Sequence, residues 1–139
     1  MFEVAVRGYN QADESFVMKS WLQSYRHDSP YTRYISDDVF FDWNRKIAMH
    51  IVARQETEIL IATPVDDHDL IIGFCVSDPA KHCLHFAYTR KDFRLQGIAR
   101  RLFTESGLDP EAFQFTHLTN SMIDAMRRKA HWIYNPYLI

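Results

Sequence analysis

The sequence is poor in the residues that mark several simple classes of protein. It has only two cysteines, Cys75 and Cys83, too few for the disulfide framework of a small secreted domain. Two reduced thiols are the expected state. A bridge is geometrically conceivable if Val76 and His82 pair across the intervening loop, which would set the two cysteines opposite each other on adjacent strands. Four glycines and five prolines stand singly along the chain, so no collagen-like repeat or low-complexity linker divides it. Neither sign of charge dominates: sixteen Lys+Arg against eighteen Asp+Glu give a formal net charge of -2, which disfavours a strongly basic nucleic-acid binder. No apolar run approaches the ~18 residues of a membrane span, and the amino-terminal stretch lacks the apolar core of a signal peptide. These absences lead to the expectation of a soluble, cytoplasmic protein with no membrane partner.

What is present is an ordinary globular composition, 47% hydrophobic and 14% aromatic over 139 residues. It reads as a single domain spanning 1–139 that buries roughly two-thirds of its unfolded surface. Alternation over Phe2-Glu3-Val4-Ala5-Val6-Arg7 predicts a strand ending near Gly8. A helix is predicted from about Asn10 to Tyr25, with Val17, Trp21 and Tyr25 at i+4 and Met18 and Leu22 beside them. A loop follows from Arg26 to Ile35. Ser36 is the expected N-cap of a second helix reaching about Gln55, with Phe40, Trp43, Ile47 and Ile51 as its buried stripe. Three strands are predicted over Glu58–Thr63, Leu70–Ser77 and His82–Thr89. A helix from Gly97 to about Ser106, with Gly107 past its end, a strand from Ala112 to His117, and a last helix capped by Thr119 or Asn120 and running to about Lys129 complete the order. The fold class is mixed α/β (α+β): a mainly antiparallel sheet with one βαβ unit near its end.

The chemistry concentrates where the fourth strand runs into a short loop and the loop opens directly into an amphipathic helix. The first amides of such a helix lack internal partners, and the helix dipole favours an anion there. Gly97 carries no side chain to hold a phosphate away, and Ala99 carries little more. Arg94, Arg100 and Arg101 add positive charge, so the physics points to a diphosphate site.

The run Arg94-Leu95-Gln96-Gly97-Ile98-Ala99 resembles the Arg/Gln-x-x-Gly-x-Gly/Ala pattern of the GNAT superfamily of N-acetyltransferases, and the element order resembles theirs over roughly residues 2–130. The resemblance implies a central sheet flanked by helices, with acetyl-CoA as co-substrate and no metal. Arg94, Leu95, Gln96, Gly97, Ile98, Ala99 and Arg100 would hold the CoA phosphates, and Ala87, Tyr88 and Thr89 would line the pantetheine arm. It also implies that a backbone amide of the splayed strand stabilises the thioester oxygen. One departure is the short tail: Ala130 to Ile139 suffice for one strand but not for the final hairpin, which leaves an open sheet edge or a homodimer contact.

Acetyl transfer to an amine needs a base, since an alkyl ammonium titrates near ~10.4. His85, nine residues before Arg94, is the expected base; arylalkylamine-type relatives resemble this chain in carrying histidine there. The glutamate of histone-type relatives is replaced by Cys83, which opens a covalent acetyl-cysteine route as a lesser alternative to direct attack. Many relatives place an acidic tyrosine seven residues after an asparagine on the last helix, but the count from Asn120 reaches Arg127. Tyr134, with Tyr137 and His117 as alternatives, is therefore the expected acid. The acceptor side would draw on Tyr25, Arg26, His27, Asp28, Tyr31, Arg33, Tyr34, Asp37 and Asp38. The leading expectation is an N-acetyltransferase acting on an amine of a small molecule or protein by direct attack on the thioester. The alternative is a catalytically inactive protein of the same fold that binds CoA or a protein partner; a toxin-like enzyme acting on charged transfer RNA is disfavoured by the net charge.

Overall fold

The computed structural model describes residues 3–128 and 131–139. Phe2, Lys129 and Ala130, at which the sequence reading begins its first strand, ends its last helix and begins the tail, lie outside the described residues. Six strands form one sheet in the order of the chain: β1 (Val4–Gly8), β2 (Glu58–Pro64), β3 (Gly73–Asp78), β4 (Cys83–Thr89), β5 (Ala112–Phe115) and β6 (His131–Tyr134). The first four are antiparallel, whereas β4–β5 and β5–β6 are parallel. Parallel neighbours require crossovers, and helices α3 (Ile98–Glu105) and α4 (Asn120–Met126) supply them. The end of the fold therefore holds two βαβ units rather than the one expected.

Helices α1 (Glu14–Asp28) and α2 (Asp37–Ala53) cover one face of the sheet. Val17, Met18, Trp21 and Leu22 of α1 and Ala48 and Ile51 of α2 pack there on Ile59, Ile61, Phe74, Val76 and Phe86. On the opposite face Ile98, Leu102 and Phe103 of α3 meet Ala62, Cys75, Leu84, Phe113 and Phe115. The i, i+4 stripe of α1 is thus the expected one. That of α2 is corrected: Trp43 is 59% exposed, and its ring instead receives Lys46 Nζ at 4.7 Å. Helix α1 begins after a 3-10 turn that Asn10 caps with a capping box closed by Asp13, and Asp13 also takes a two-pronged ion pair from Arg7 at 2.8 and 2.9 Å.

The cysteines do not meet. Cys75 lies opposite Ala87 and Cys83 opposite Asp78, and both thiols are free and buried. Val76 pairs with Phe86, not with His82, and this removes the geometry a bridge would need. The strand expected from Leu70 begins only at Gly73, and the one expected to reach His117 ends at Phe115.

Two local features aim the sheet at the site. The register of β3 and β4 shifts between Val76 and Ser77, so His85 stands opposite no residue of β3. This bulge re-phases the strand: Leu84 and Ala87 face the α3 side, whereas Phe86 and Tyr88 face α1. Further along, a Cβ on Gly73 would sit 2.8 Å from the Tyr88 carbonyl oxygen, a backbone atom with no room to rotate away. We therefore expect Gly73→Ala to lower stability by about 1–3 kcal/mol through displacement of β4 at Tyr88. Thermal melts check this, and an unchanged Tm would refute the close approach.

Candidate active site

β4 and β5 pair only at Cys83↔Gln114 and Leu84↔Phe115, and the last bond between them runs from Thr116 N–H to the Leu84 carbonyl at 3.1 Å. Beyond this point the bulged strand and the β5 segment diverge. A cavity of about 750 Å³ fills the opening.

One wall of the cavity is the loop between β4 and α3. Leu95 at φ +64° and Gly97 at φ +76° are both left-handed, and Gly97 is the N-cap of α3. A left-handed cap suits glycine, whereas at Leu95 it is a strained conformation of the kind that clusters at functional sites. The first intrahelical bond of α3 is Arg101 N–H to the Gly97 carbonyl at 3.0 Å, so the amides of Ile98, Ala99 and Arg100 open the helix without an intrahelical partner. No side chain caps them. A Cβ added at Gly97 would meet nothing within 4 Å, so the approach to these amides is open.

Of the residues expected here, His85, Ala87, Tyr88, Thr89, Arg94, Leu95, Gly97, Ile98, Ala99 and Arg100 border the cavity. Gln96 and Tyr134 do not. Arg101 is turned away, to Glu105 at 2.7 Å and to the Val4 carbonyl. Arg94 donates to the Thr89 carbonyl at 3.1 Å, and Arg100 pairs with Glu111 at 2.7 Å. Lys91 and Phe93, in the 3-10 turn before the motif, join the wall and were missed, although a lysine just upstream of a basic loop was a visible signal.

The acceptor-side expectation is narrowed. His27 and Asp28 border the cavity with Gln23 and Ser24 of α1 and Thr119, Ser121 and Met122 of α4. The Asp28 carboxylate accepts from Ser121 N–H at 3.2 Å and Oγ–H at 2.7 Å, fastening the end of α1 to the start of α4. Arg26 and Asp37 pair with each other at 2.8 Å, and Arg33 lies over the Tyr34 ring. Tyr31, Asp38 and these four residues are off the cavity wall. Tyr25 packs on His117 with ring centres 4.9 Å apart. Tyr134, expected as the acid, lies on β6 against Phe115, because β6 pairs directly with β5 and so directs that side chain into the packing between them. Tyr137 is 92% exposed in the tail.

At the floor of the opening the structure brings together two buried imidazoles. His85 Nδ1 lies 3.0 Å from Thr116 Oγ1, and the same oxygen lies 2.9 Å from His117 Nδ1. His117 is packed edge-on against Trp21 and Tyr25. Burial pushes His85 down to about 4, with Arg54 and Lys81 lowering it further and Asp78 opposing. Burial, then the neighbouring His85, brings His117 down to about 3. Both rings are therefore neutral in the folded protein at neutral pH. Cys83 is buried and its thiol is pushed up to about 11 by desolvation, which leaves no thiolate for a covalent route. Among the described residues no group of three or more His, Cys, Asp or Glu could hold a metal, and no helix is long and apolar enough to cross a membrane.

The histidines make stability pH-dependent with a definite sign. The unfolded chain binds protons below about 6.5 that the folded rings refuse, so their stabilising contribution is complete above that pH and is lost as pH falls toward 4. Thermal melts between pH 7 and 4.5 should show Tm falling steadily, as the unfolding free energy drops with a slope approaching about 1.4 kcal/mol per pH unit for each ring. A Tm constant from pH 7 to 5 would contradict the buried neutral pair.

No family model matches the sequence, and no curated protein matches it. Solved structures do match the fold. A candidate acetyl transferase from Pyrococcus furiosus aligns over 96% of this chain and 82% of its own at 10% identity and a TM-score of 0.59. The PaiA N-acetyltransferase of Thermoplasma acidophilum, solved in complex with coenzyme A, aligns over 93% of this chain and 75% of its own at 14% identity and a TM-score of 0.53. A GNAT-family acetyltransferase of Staphylococcus aureus Mu50 aligns over 74% of this chain and 62% of its own, again at 14% identity and a TM-score of 0.53. With the six-stranded sheet, its opening after Leu84 and the helix start at Gly97, these alignments give the chain the fold of the GNAT acetyltransferases.

Proposed function

We propose that this protein is an acetyl-CoA-dependent N-acyltransferase that acetylates an amine by direct transfer. The observation that carries the reading is the juxtaposition across one cavity of the β4 edge past Leu84, which pairs with no strand on the β5 side, and the opening amides of α3, which have no intrahelical partner. The structure of the Thermoplasma acidophilum protein of the same fold contains coenzyme A, which supports the choice of ligand.

The residues present fit that group. The amides of Ile98, Ala99 and Arg100, with Arg94 and Lys91 beside them, suit a diphosphate, because unpaired N–H groups and the helix dipole both favour an anion. Ala87, Tyr88 and Thr89 offer a strand edge to an extended amide-bearing arm, as a peptide is bound by strand addition. When bound, acetyl-CoA supplies an activated acyl thioester. The chain's own tasks are to hold the arm, to exclude water with Phe86 of the cavity wall, which Trp21 and Tyr25 back, and to remove the amine proton. His85, neutral and buried beside Thr116, is the proposed base.

A panel of primary amines with acetyl-CoA, read by thiol release, tests the reading. Release with at least one amine is expected. Micromolar CoA binding with no release on any amine would support the alternative of a non-catalytic CoA-binding protein, which the position of Tyr134 away from the cavity favours.

A further inference from the structure

The wall of the cavity is divided by charge. Lys91, Arg94 and Arg100 stand on the side of the β4–α3 loop, whereas Asp28 is the one carboxylate among the residues that border the opening. Asp28 is the last residue of α1, and the negative end of that helix dipole lies at the same place. A carboxylate is disfavoured at a helix end of its own sign, yet this one is fixed in position. Its Oδ2 accepts Ser121 N–H at 3.2 Å and Ser121 Oγ–H at 2.7 Å, and these two bonds leave Oδ1 open. Among the described residues no cation pairs with it. Arg26, two residues earlier, is turned away to Asp37 at 2.8 Å, to the Ile35 carbonyl at 2.7 Å and over the Phe40 ring.

We propose that Asp28 anchors a second, non-reacting ammonium of the acceptor, so that the amines this enzyme prefers are diamines. The proposal rests on the acetyltransferase reading. The nitrogen that attacks the thioester has to be neutral, and a carboxylate beside it would hold its proton and raise its pKa above the ~10.4 of a free alkyl ammonium. Asp28 therefore suits a charge that stays on, at a distance from the reacting nitrogen. Because Ser121 already fixes Oδ2, the carboxylate loses little side-chain freedom when Oδ1 takes an ammonium.

The neighbouring groups suit a cation. Gln23, Ser24 and Thr119 on the same wall supply uncharged oxygens that can accept the remaining N–H donors of an ammonium. His117 is kept neutral by burial, and His27 is the other imidazole on this side. The first donors of α4 do not compete for a ligand: the Ser121 amide is taken by Asp28 itself and the Met122 amide by Thr119 Oγ1 at 3.1 Å. An acceptor with a carboxylate in place of the second ammonium would meet Asp28 with like charge and is rejected. Asp28 is accordingly a specificity-determining residue, which holds the acceptor away from the reacting atoms.

Rates of the full chain with alkylamines and with diaminoalkanes of matched, increasing length, read by thiol release, test the assignment. The wild type should favour diamines over the matched monoamines by about tenfold in kcat/KM, with KM carrying the difference. Asp28→Asn keeps an oxygen for the Ser121 bonds and removes the charge; it should bring diamines down to the level of monoamines, with CoA affinity within about threefold of wild type. Asp28→Glu, which retains the charge, should retain the preference. No diamine preference in the wild type overturns the assignment. So does an Asp28→Asn enzyme that loses activity equally on both kinds of acceptor, the mark of a purely structural tie to α4. If the wild type releases thiol with no amine, the acetyltransferase reading fails instead. Calorimetric titration of a diamine in the presence of CoA then decides the anchor alone: binding that Asp28→Asn loses upholds it, and binding that is absent or unchanged removes it.

Discussion

Gly97→Glu is expected to weaken CoA binding at least ~100-fold, about 2.7 kcal/mol, while the protein stays folded. Gly97 caps α3 in the left-handed region, and the three amides that follow it have no intrahelical partner. A carboxylate at that position would compete for the same donors and repel a diphosphate. Each charge-assisted hydrogen bond lost is worth roughly 1.5–3 kcal/mol, so even partial obstruction reaches the expected figure. The substitution also imposes left-handed strain of roughly 1–2 kcal/mol, and Tm should fall by several degrees. Gly97→Ala separates the two effects. A Cβ there meets nothing within 4 Å, so alanine adds strain without obstruction and should keep most of the affinity. Calorimetric titration with CoA measures both variants; Gly97→Glu binding within threefold of wild type would remove the phosphate role of this helix start.

The second large effect is expected at the paired histidines. His85→Ala should reduce kcat by about 10²–10³-fold, with CoA affinity changed less than threefold. The ring bonds to Thr116 at the floor of the opening, whereas the amides proposed to bind phosphate lie at the helix start beyond the strand. His117→Ala should produce a loss of similar size, and the double variant should be little worse than either single one, because both rings contact the same Thr116 hydroxyl and residues that act as a unit fail together. The wild-type rate should vary with pH, and this dependence should change in the variants. Additive losses, or an unchanged pH–rate profile in His85→Ala, would show that the two rings act separately or only structurally. His85→Asn, which keeps more of the side-chain volume, guards against a loss caused by a cavity at a 2%-exposed position.

Several elements were legible in the sequence because they depend on neighbours a few residues apart. The α1 stripe of Val17, Met18, Trp21 and Leu22 follows from helical periodicity alone, and the strand–loop–helix with glycine at its hinge follows from local turn chemistry. Trp43 misled because its spacing suits a buried stripe, yet α2 is rotated so that Phe40, Ala48 and Ile51 face the core. Arg101 misled for a related reason: it shares the motif's charge, but its place on the helix carries it toward β1.

The sequence by itself determined the mixed α/β class, the glycine-led helix start after β4 and the candidacy of His85, since each is written in contiguous residues whose backbone preferences are local. Only the tertiary structure decided that β4 carries a bulge at His85, that β5 separates from it after Leu84, and that Tyr134 lies outside the cavity. It alone placed Thr116, 31 residues from His85, between two imidazoles. Strand register and cross-strand contact depend on which distant segments pair, and no periodicity within a single strand encodes its partner.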